Sequence, residues 1–281
     1  MRNRAVVDLH AISLDDLFAH AGRLLGTSLD SASMRFGGRD NATAGARSDR
    51  GTWVRIQQRT ITGTAPPARW DAEESAAALA GVRKPAWHRA ATWTDPASAV
   101  QWRADELDVV TSPVLGWSSG LHDPELHLSD AWWGDLNRSL TALADQPTDR
   151  ISVDQETITH YITRVFGAVE THVEEWTTAH GDLVWSNVTE DGHLLDWEYW
   201  GRAPRGYDAA QLWGVALSRP DLATRIEDEF RSDLNTRSGR IAQLFWCALA
   251  RCAAEKHPDF AHYRELTDTA VPQLLRSLNR H

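Results

Sequence analysis

The pattern of apolar and polar positions changes character about 110 residues into the chain. Over residues 13–25 the apolar side chains Leu14, Leu17, Phe18, Ala21, Leu24 and Leu25 fall at the spacing of one helix face, behind a serine suited to an N-cap. Shorter segments follow at 32–36, 44–48, 52–58, 87–93 and 100–110, and these read as strands. Asp49-Arg-Gly51 supplies a tight hairpin signal, while Gly37-Gly-Arg-Asp-Asn-Ala42 and Asp95-Pro-Ala-Ser98 read as turns. Ala65-Pro-Pro67 breaks the chain, and the Ala- and Glu-rich stretch 70–80 predicts a helix between the third and fourth strands.

After Ser112 the signals become helical. Pro113, Gly116, Ser118, Ser119 and Gly120 mark a connection. Helical periodicity then runs through 130–143, 153–177, 207–217, 222–234, 238–255 and 262–279, interrupted by one short β island at 184–198. The prediction is an α+β chain of two lobes. Residues 1–111 form a small antiparallel β lobe with one inserted helix, and residues 112–281 form a larger, mainly helical lobe.

Composition narrows the partners. The 281 residues carry a formal charge of −10, which argues against a nucleic-acid backbone as partner because phosphates repel an acidic surface. No apolar run is long enough to span a bilayer and the first residues lack an apolar leader core, so a cytoplasmic protein, monomeric or homodimeric, is expected. Cys247 and Cys252 stand five residues apart in an apolar stretch, pointing to different helix faces, and read as buried thiols rather than a disulfide or metal site.

One constellation carries chemistry: His180-Gly-Asp-Leu-Val-Trp-Ser-Asn187, the turn Glu190-Asp-Gly192, then Leu194-Leu-Asp-Trp-Glu198. Phosphoryl transfer requires a carboxylate to orient the attacking hydroxyl and oxygen ligands to hold Mg²⁺ on the phosphates. An Asp and an Asn five residues apart on one loop, with a second Asp after the next hairpin, supply that set. Asp182 is the candidate catalytic carboxylate, and Asn187, Asp196 and Glu198 are the candidate metal ligands. His180 is of a type able to act as a base, but bracing the loop is the favoured reading. Asp208, at a predicted helix start, reads as a loop anchor. Trp185, Trp197 and Trp200 read as core packing or cleft lining.

These residues resemble the aminoglycoside phosphotransferase and choline kinase family, which shares the protein-kinase fold and reads His-Gly-Asp, four residues, Asn, then Asp-x-Asp. Gly206-Tyr-Asp-Ala-Ala-Gln-Leu212 resembles the helix start that follows in that family. Gly37-Gly-Arg-Asp-Asn41, Gly51 and Trp53-Val-Arg-Ile56 look like its nucleotide-clamping hairpin and basic strand. The resemblance implies a two-lobed protein-kinase-like fold, ATP or GTP as co-substrate and Mg²⁺ as cofactor. It assigns nucleotide binding to Gly37, Gly38, Asn41 and Arg55, with Glu74, or else Glu73, as the ion-pair partner of Arg55. Arginine at 55 stands where the family usually has lysine, the clamp has two glycines where a fuller motif has three, Val184 replaces a common polar residue and Glu198 replaces a second Asp. The implied reaction is transfer of a γ-phosphate to a hydroxyl of a small, cationic acceptor such as an aminoglycoside-type antibiotic or amino sugar, hence antibiotic resistance. A metabolic kinase for choline-like or sugar substrates, and a non-catalytic nucleotide-binding relative, are the alternatives. Asp123, Glu125, Asp130, Asp135, Glu170, Glu174 and Glu175 lie in stretches that build the family's acceptor site.

Overall fold

A computed structural model of the chain describes residues 9, 12–37, 43–60, 70–95, 100–117, 120–123 and 127–279. These divide into two compact units, the described residues of Met1–Ala78 with Pro85–Thr111, and Leu79–Lys84 with Ser112–His281.

The first unit is built on a five-stranded antiparallel sheet, β1 (Leu29–Gly37), β2 (Thr43–Ser48), β3 (Thr52–Thr60), β4 (Trp87–Asp95) and β5 (Val100–Asp108), in the spatial order β1-β2-β3-β5-β4. Ahead of it runs the helix Leu14–Leu25, capped by Ser13, whose Oγ accepts the Asp16 N–H, and closed by Gly26 at φ 68°. Leu17, Phe18, Ala21 and Leu25 cover one sheet face, burying Ala44, Ala46, Val54, Ile56, Val100, Trp102 and Ala104. Strand alternation therefore puts Arg55, Arg103 and Asp105 on the opposite face. The predicted helix at 70–80 is shorter, Ala72–Ala76. Beyond it the chain joins the other unit: the Arg83 carbonyl accepts the Leu194 N–H at 2.8 Å, and the Arg83 N–H reaches Ser139 Oγ at 3.4 Å. Hydrogen bonds made far along the chain thus claim Leu79–Lys84, inside the stretch expected to belong wholly to the β lobe.

The second unit is mainly helical, with Asp130–Ala144, Gln155–Phe166, Tyr207–Val215, Pro220–Glu229, Arg231–Leu234, Arg237–Ala254 and Tyr263–Leu278. Two expectations are corrected. The helix read over 153–177 stops at Phe166, because Gly167 takes φ 80°; after the short antiparallel pair β6 (Gly116–Trp117) and β7 (Gly120–Leu121), Trp176–Ala179 is a strand, β8, paired with β9 (Gly201–Pro204). The β island at 184–198 reduces to isolated bridges, Val188 to Leu194 and Thr189 to Val114, between the 3₁₀ turns Trp185–Asn187 and Trp197–Tyr199. The core sits around the Tyr207–Val215 helix, all of whose residues are buried. Trp185, Trp197 and Trp200 are buried as well, as are the free thiols of Cys247 and Cys252. No helix among the described residues is long and apolar enough to cross a membrane.

Candidate active site

The loop bearing Asp182 is shaped by the residues before and after it. Strand β8 ends at Ala179, and the chain turns at Gly181, where φ is 86°. A Cβ there would lie 2.2 Å from the Tyr199 carbonyl and 2.4 Å from Ser152 Oγ, so both conformation and space require glycine. The chain then passes Asp182, makes the 3₁₀ turn to Asn187 and returns, the Leu195 N–H donating to the Asn187 carbonyl at 2.9 Å. That bond brings residue 196 alongside Asn187. Asp196 has φ 63°, the one positive φ outside glycine among the described residues. Aspartate tolerates this region better than most side chains, and such strain concentrates at functional positions.

Within the loop, Asn187 Nδ2 donates to the Asp182 carbonyl at 2.8 Å and reaches the Asp182 carboxylate at 3.3 Å. The Asp182 carboxyl is pushed up to about 6, first by burial and then by the neighbouring charges of Asp196 and Glu198, against the pull of His180 and the Asn187 hydrogen bond. His180 is fully buried. Its Nε2–H donates to the Leu195 carbonyl at 2.9 Å, which leaves Nδ1 to accept the Asp182 N–H at 3.4 Å. Its ring meets Trp197 edge-on at 4.7 Å, and Trp197 Nε1 donates to the Leu194 carbonyl at 3.0 Å. Both imidazole nitrogens face backbone groups, so the ring is built into the wall of the loop.

The Tyr207–Val215 helix grips the same loop from behind. The Asp208 carboxylate accepts the His180 N–H at 2.7 Å and the Gly181 N–H at 2.9 Å. Burial raises its pKa, partly offset by His180 and those two backbone donors. One helical turn on, Gln211 accepts the Leu183 N–H at 2.6 Å and donates to the Gly181 carbonyl at 3.0 Å. Gln211 was not foreseen as a site residue. The available signal was its polarity inside an otherwise apolar helix, three residues after Asp208 and so on the same face.

In the first unit, Gly37 ends β1 opposite Thr43, while Gly38 and Asn41 lie outside the described residues. Arg55 sits between Gly45 of β2 and Asp105 of β5. Glu73 is buried. The Glu74 carboxylate receives Arg103 of β5 at 2.9 Å, a partner not anticipated from the sequence. Arg103 also forks onto Asp105 through Nε and Nη2 at 2.6–3.0 Å, and Trp87 Nε1 donates to the same carboxylate at 2.9 Å. The basic group engaged by Glu74 therefore includes one on β5, held by a wholly buried aspartate. An Arg and an Asp two apart in a strand, hence on one face, were the sequence signal for this pair.

The acids in the stretches expected to build the acceptor site are mostly engaged in ion pairs or hydrogen bonds. Asp130 pairs with Arg225 at 2.8 Å, Glu175 with Arg205 at 2.9 Å, Glu174 with Arg237 at 3.8 Å, and Asp135 with Arg138. Glu170 accepts the His172 N–H at 2.8 Å, and Glu125 lies outside the described residues.

Comparison with solved structures shows the fold. An amicoumacin kinase in complex with AMP-PNP and Ca²⁺ superposes with a TM-score of 0.59 at 10% identity, over 95% of each chain. A choline/ethanolamine kinase family protein from Mesorhizobium loti gives 0.57 at 14% identity, over 95% of this chain and 99% of the other. An aminoglycoside-3'-phosphotransferase of type VIII gives 0.54 at 16% identity, over 82% and 97%. No protein-family model matches the sequence, and no curated protein matches it. The chain has the two-lobed, protein-kinase-like α+β fold of the small-molecule phosphotransferases, as the motifs at 180–198 led one to expect.

Proposed function

We propose that this chain is a small-molecule kinase that moves the γ-phosphate of ATP or GTP to a hydroxyl of a small acceptor. The observation that carries the reading is the loop itself. Asp182 is gripped by Asn187, lies beside a strained Asp196, and has a carboxyl poised near 6, suited to hydrogen-bonding an alcohol and taking its proton close to neutral pH. In the proposed reaction the acceptor hydroxyl donates to Asp182 and its oxygen attacks the γ-phosphorus. The bond to the β,γ-bridging oxygen breaks, nucleoside diphosphate leaves, and the hydroxyl proton passes to Asp182.

The donor chemistry fits Mg²⁺. Asn187 Oδ1 and the carboxylates of Asp196 and Glu198 are all oxygens. Among the described residues no group of three or more His, Cys, Asp or Glu is placed to hold a metal by itself. When bound, Mg²⁺ would neutralise charge on the transferring phosphate. His180 and Asp208 hold the loop, and nucleotide binding in the first unit is assigned to Arg55, to Glu74 and to Gly37 with Gly38 and Asn41.

For the acceptor we favour a cationic, hydroxyl-bearing compound of the aminoglycoside or amino-sugar type. The net charge of −10 and the carboxylates beside Asp182 support it. The test is phosphate transfer from radiolabelled Mg·ATP and Mg·GTP to a panel of aminoglycosides, other antibiotics, amino sugars, choline-like amino alcohols and neutral sugars, with Asp182→Ala as control. Labelled product that disappears in the control supports the kinase. Choline-like or neutral-sugar products redirect the substrate class, and nucleotide binding with no transfer to any acceptor or water favours a non-catalytic role.

A further inference from the structure

We propose that Gln211 is a positioning residue that sets the backbone of Asp182. The inference rests on the assignment of Asp182 made above. Two peptide groups flank the Asp182 Cα: one contributes the Gly181 carbonyl, the other the Leu183 N–H. Gln211 holds both, donating from Nε2 to the Gly181 carbonyl at 3.0 Å and accepting the Leu183 N–H on Oε1 at 2.6 Å. Rotation of those two peptide planes is what φ and ψ of Asp182 describe, so a single amide pins both soft dihedrals of that residue. Asp208 anchors the loop earlier, at the His180 and Gly181 N–H groups, and leaves the Asp182–Leu183 peptide untouched.

The side chain suits the task in a way few others can. The bridge needs a donor and an acceptor side by side, which an amide supplies and a carboxylate or ammonium does not. Gln211 is only 9% exposed, on a helix buried along its whole length, so its own position is firmly set and its bonds do not compete with bulk water. An apolar residue would pack a buried helix at lower desolvation cost, and besides the two loop bonds the amide meets the buried Tyr207 side chain.

Gln211→Met keeps length and volume and removes both bonds. Gln211→Glu keeps the acceptor for Leu183 and turns an oxygen toward the Gly181 carbonyl. The experiment measures Mg·ATP and Mg·GTP hydrolysis, with water as acceptor, for wild type, Gln211→Met, Gln211→Glu and Asp182→Ala. Folded fraction is taken from circular dichroism and nucleotide affinity from calorimetry. Misplacing a reacting group by about 1 Å can cost on the order of 100-fold, so kcat per folded molecule should fall about tenfold or more in both Gln211 variants. Nucleotide Kd should stay within about twofold, a split that a merely structural role would not produce. If Gln211→Met does not fold, the isosteric Gln211→Glu carries the same comparison. Hydrolysis within about twofold of wild type in the folded Gln211 variants, with Asp182→Ala inactive, overturns this inference alone. Retained hydrolysis in Asp182→Ala overturns the assignment of Asp182 instead.

Discussion

Replacing Asp182 by asparagine should make the free protein more stable while abolishing transfer. The carboxyl titrates near 6 in the folded chain, against 3.8 for an ordinary aspartate, with burial as the largest cause. Between those values the folded state holds a proton that the unfolded chain has released, so stability falls as pH rises through that window and the full penalty is present above about 6. A shift of about two units at ~1.4 kcal/mol each amounts to roughly 3 kcal/mol of destabilisation at neutral pH. Asp182→Asn removes the charge, keeps the shape, and leaves an oxygen to accept from Asn187 Nδ2. Melting in buffer with EDTA should show the variant higher by on the order of 6–12 °C at pH 8, at roughly 2–4 °C per kcal/mol. The gap should close as pH drops toward 4, where the wild-type carboxyl also carries a proton. Equal melting temperatures at pH 8, or a gap independent of pH, would refute the claim that Asp182 is held in a charge-disfavouring setting and with it the reason for its fitness as a proton acceptor.

Further outcomes are expected. Asn187→Ala and Asp196→Ala should each lose Mg²⁺-dependent nucleotide affinity by about tenfold or more in calorimetric titration, and unchanged affinity in both would place the metal elsewhere. Arg103→Ala should cost roughly 3–5 kcal/mol in chemical denaturation because it strands Asp105, which is wholly buried, whereas Glu74→Ala, removing a half-exposed partner, should cost under about 1 kcal/mol; similar losses would contradict the geometry. Gly181→Ala must accept φ 86° and a Cβ 2.2 Å from the Tyr199 carbonyl, so a loss of roughly 2–4 kcal/mol together with transfer activity is expected, and a wild-type melt would show that the turn can relax.

The strands of the first unit were readable because each buries one face against the Leu14–Leu25 helix, and that burial prints an alternation on the chain. The helices of the second unit were readable for the same reason at a different period. The stretch 168–179 was not. Gly167 at φ 80° ends the helix, and strand β8 is fixed by pairing with β9, more than twenty residues away; its strand-favouring Trp176, Thr177 and Thr178 are too few to break the helical pattern read before them. The loop from Val184 to Glu198 keeps only a rudimentary hairpin, the Val188–Leu194 bridge with the Thr189 N–H on the His193 carbonyl, while other backbone bonds go to 3₁₀ turns, to Pro113, to Arg83 and to Asn187.

For the candidate site, the sequence by itself nominated the proposed reacting groups: Asp182, Asn187, Asp196 and Glu198 are legible because a phosphoryl-transfer loop needs those oxygen donors in that order. The tertiary structure alone decided what holds them. Glu74 met Arg103, Gln211 met the peptides on either side of Asp182, and Leu79–Lys84 joined the helical unit, all through hydrogen bonds and ion pairs between positions 28 to more than 100 residues apart. Chemical identity is a property of each side chain and travels with the letters. A partner is a property of distance, and distance between remote residues exists only once burial has folded the chain around them.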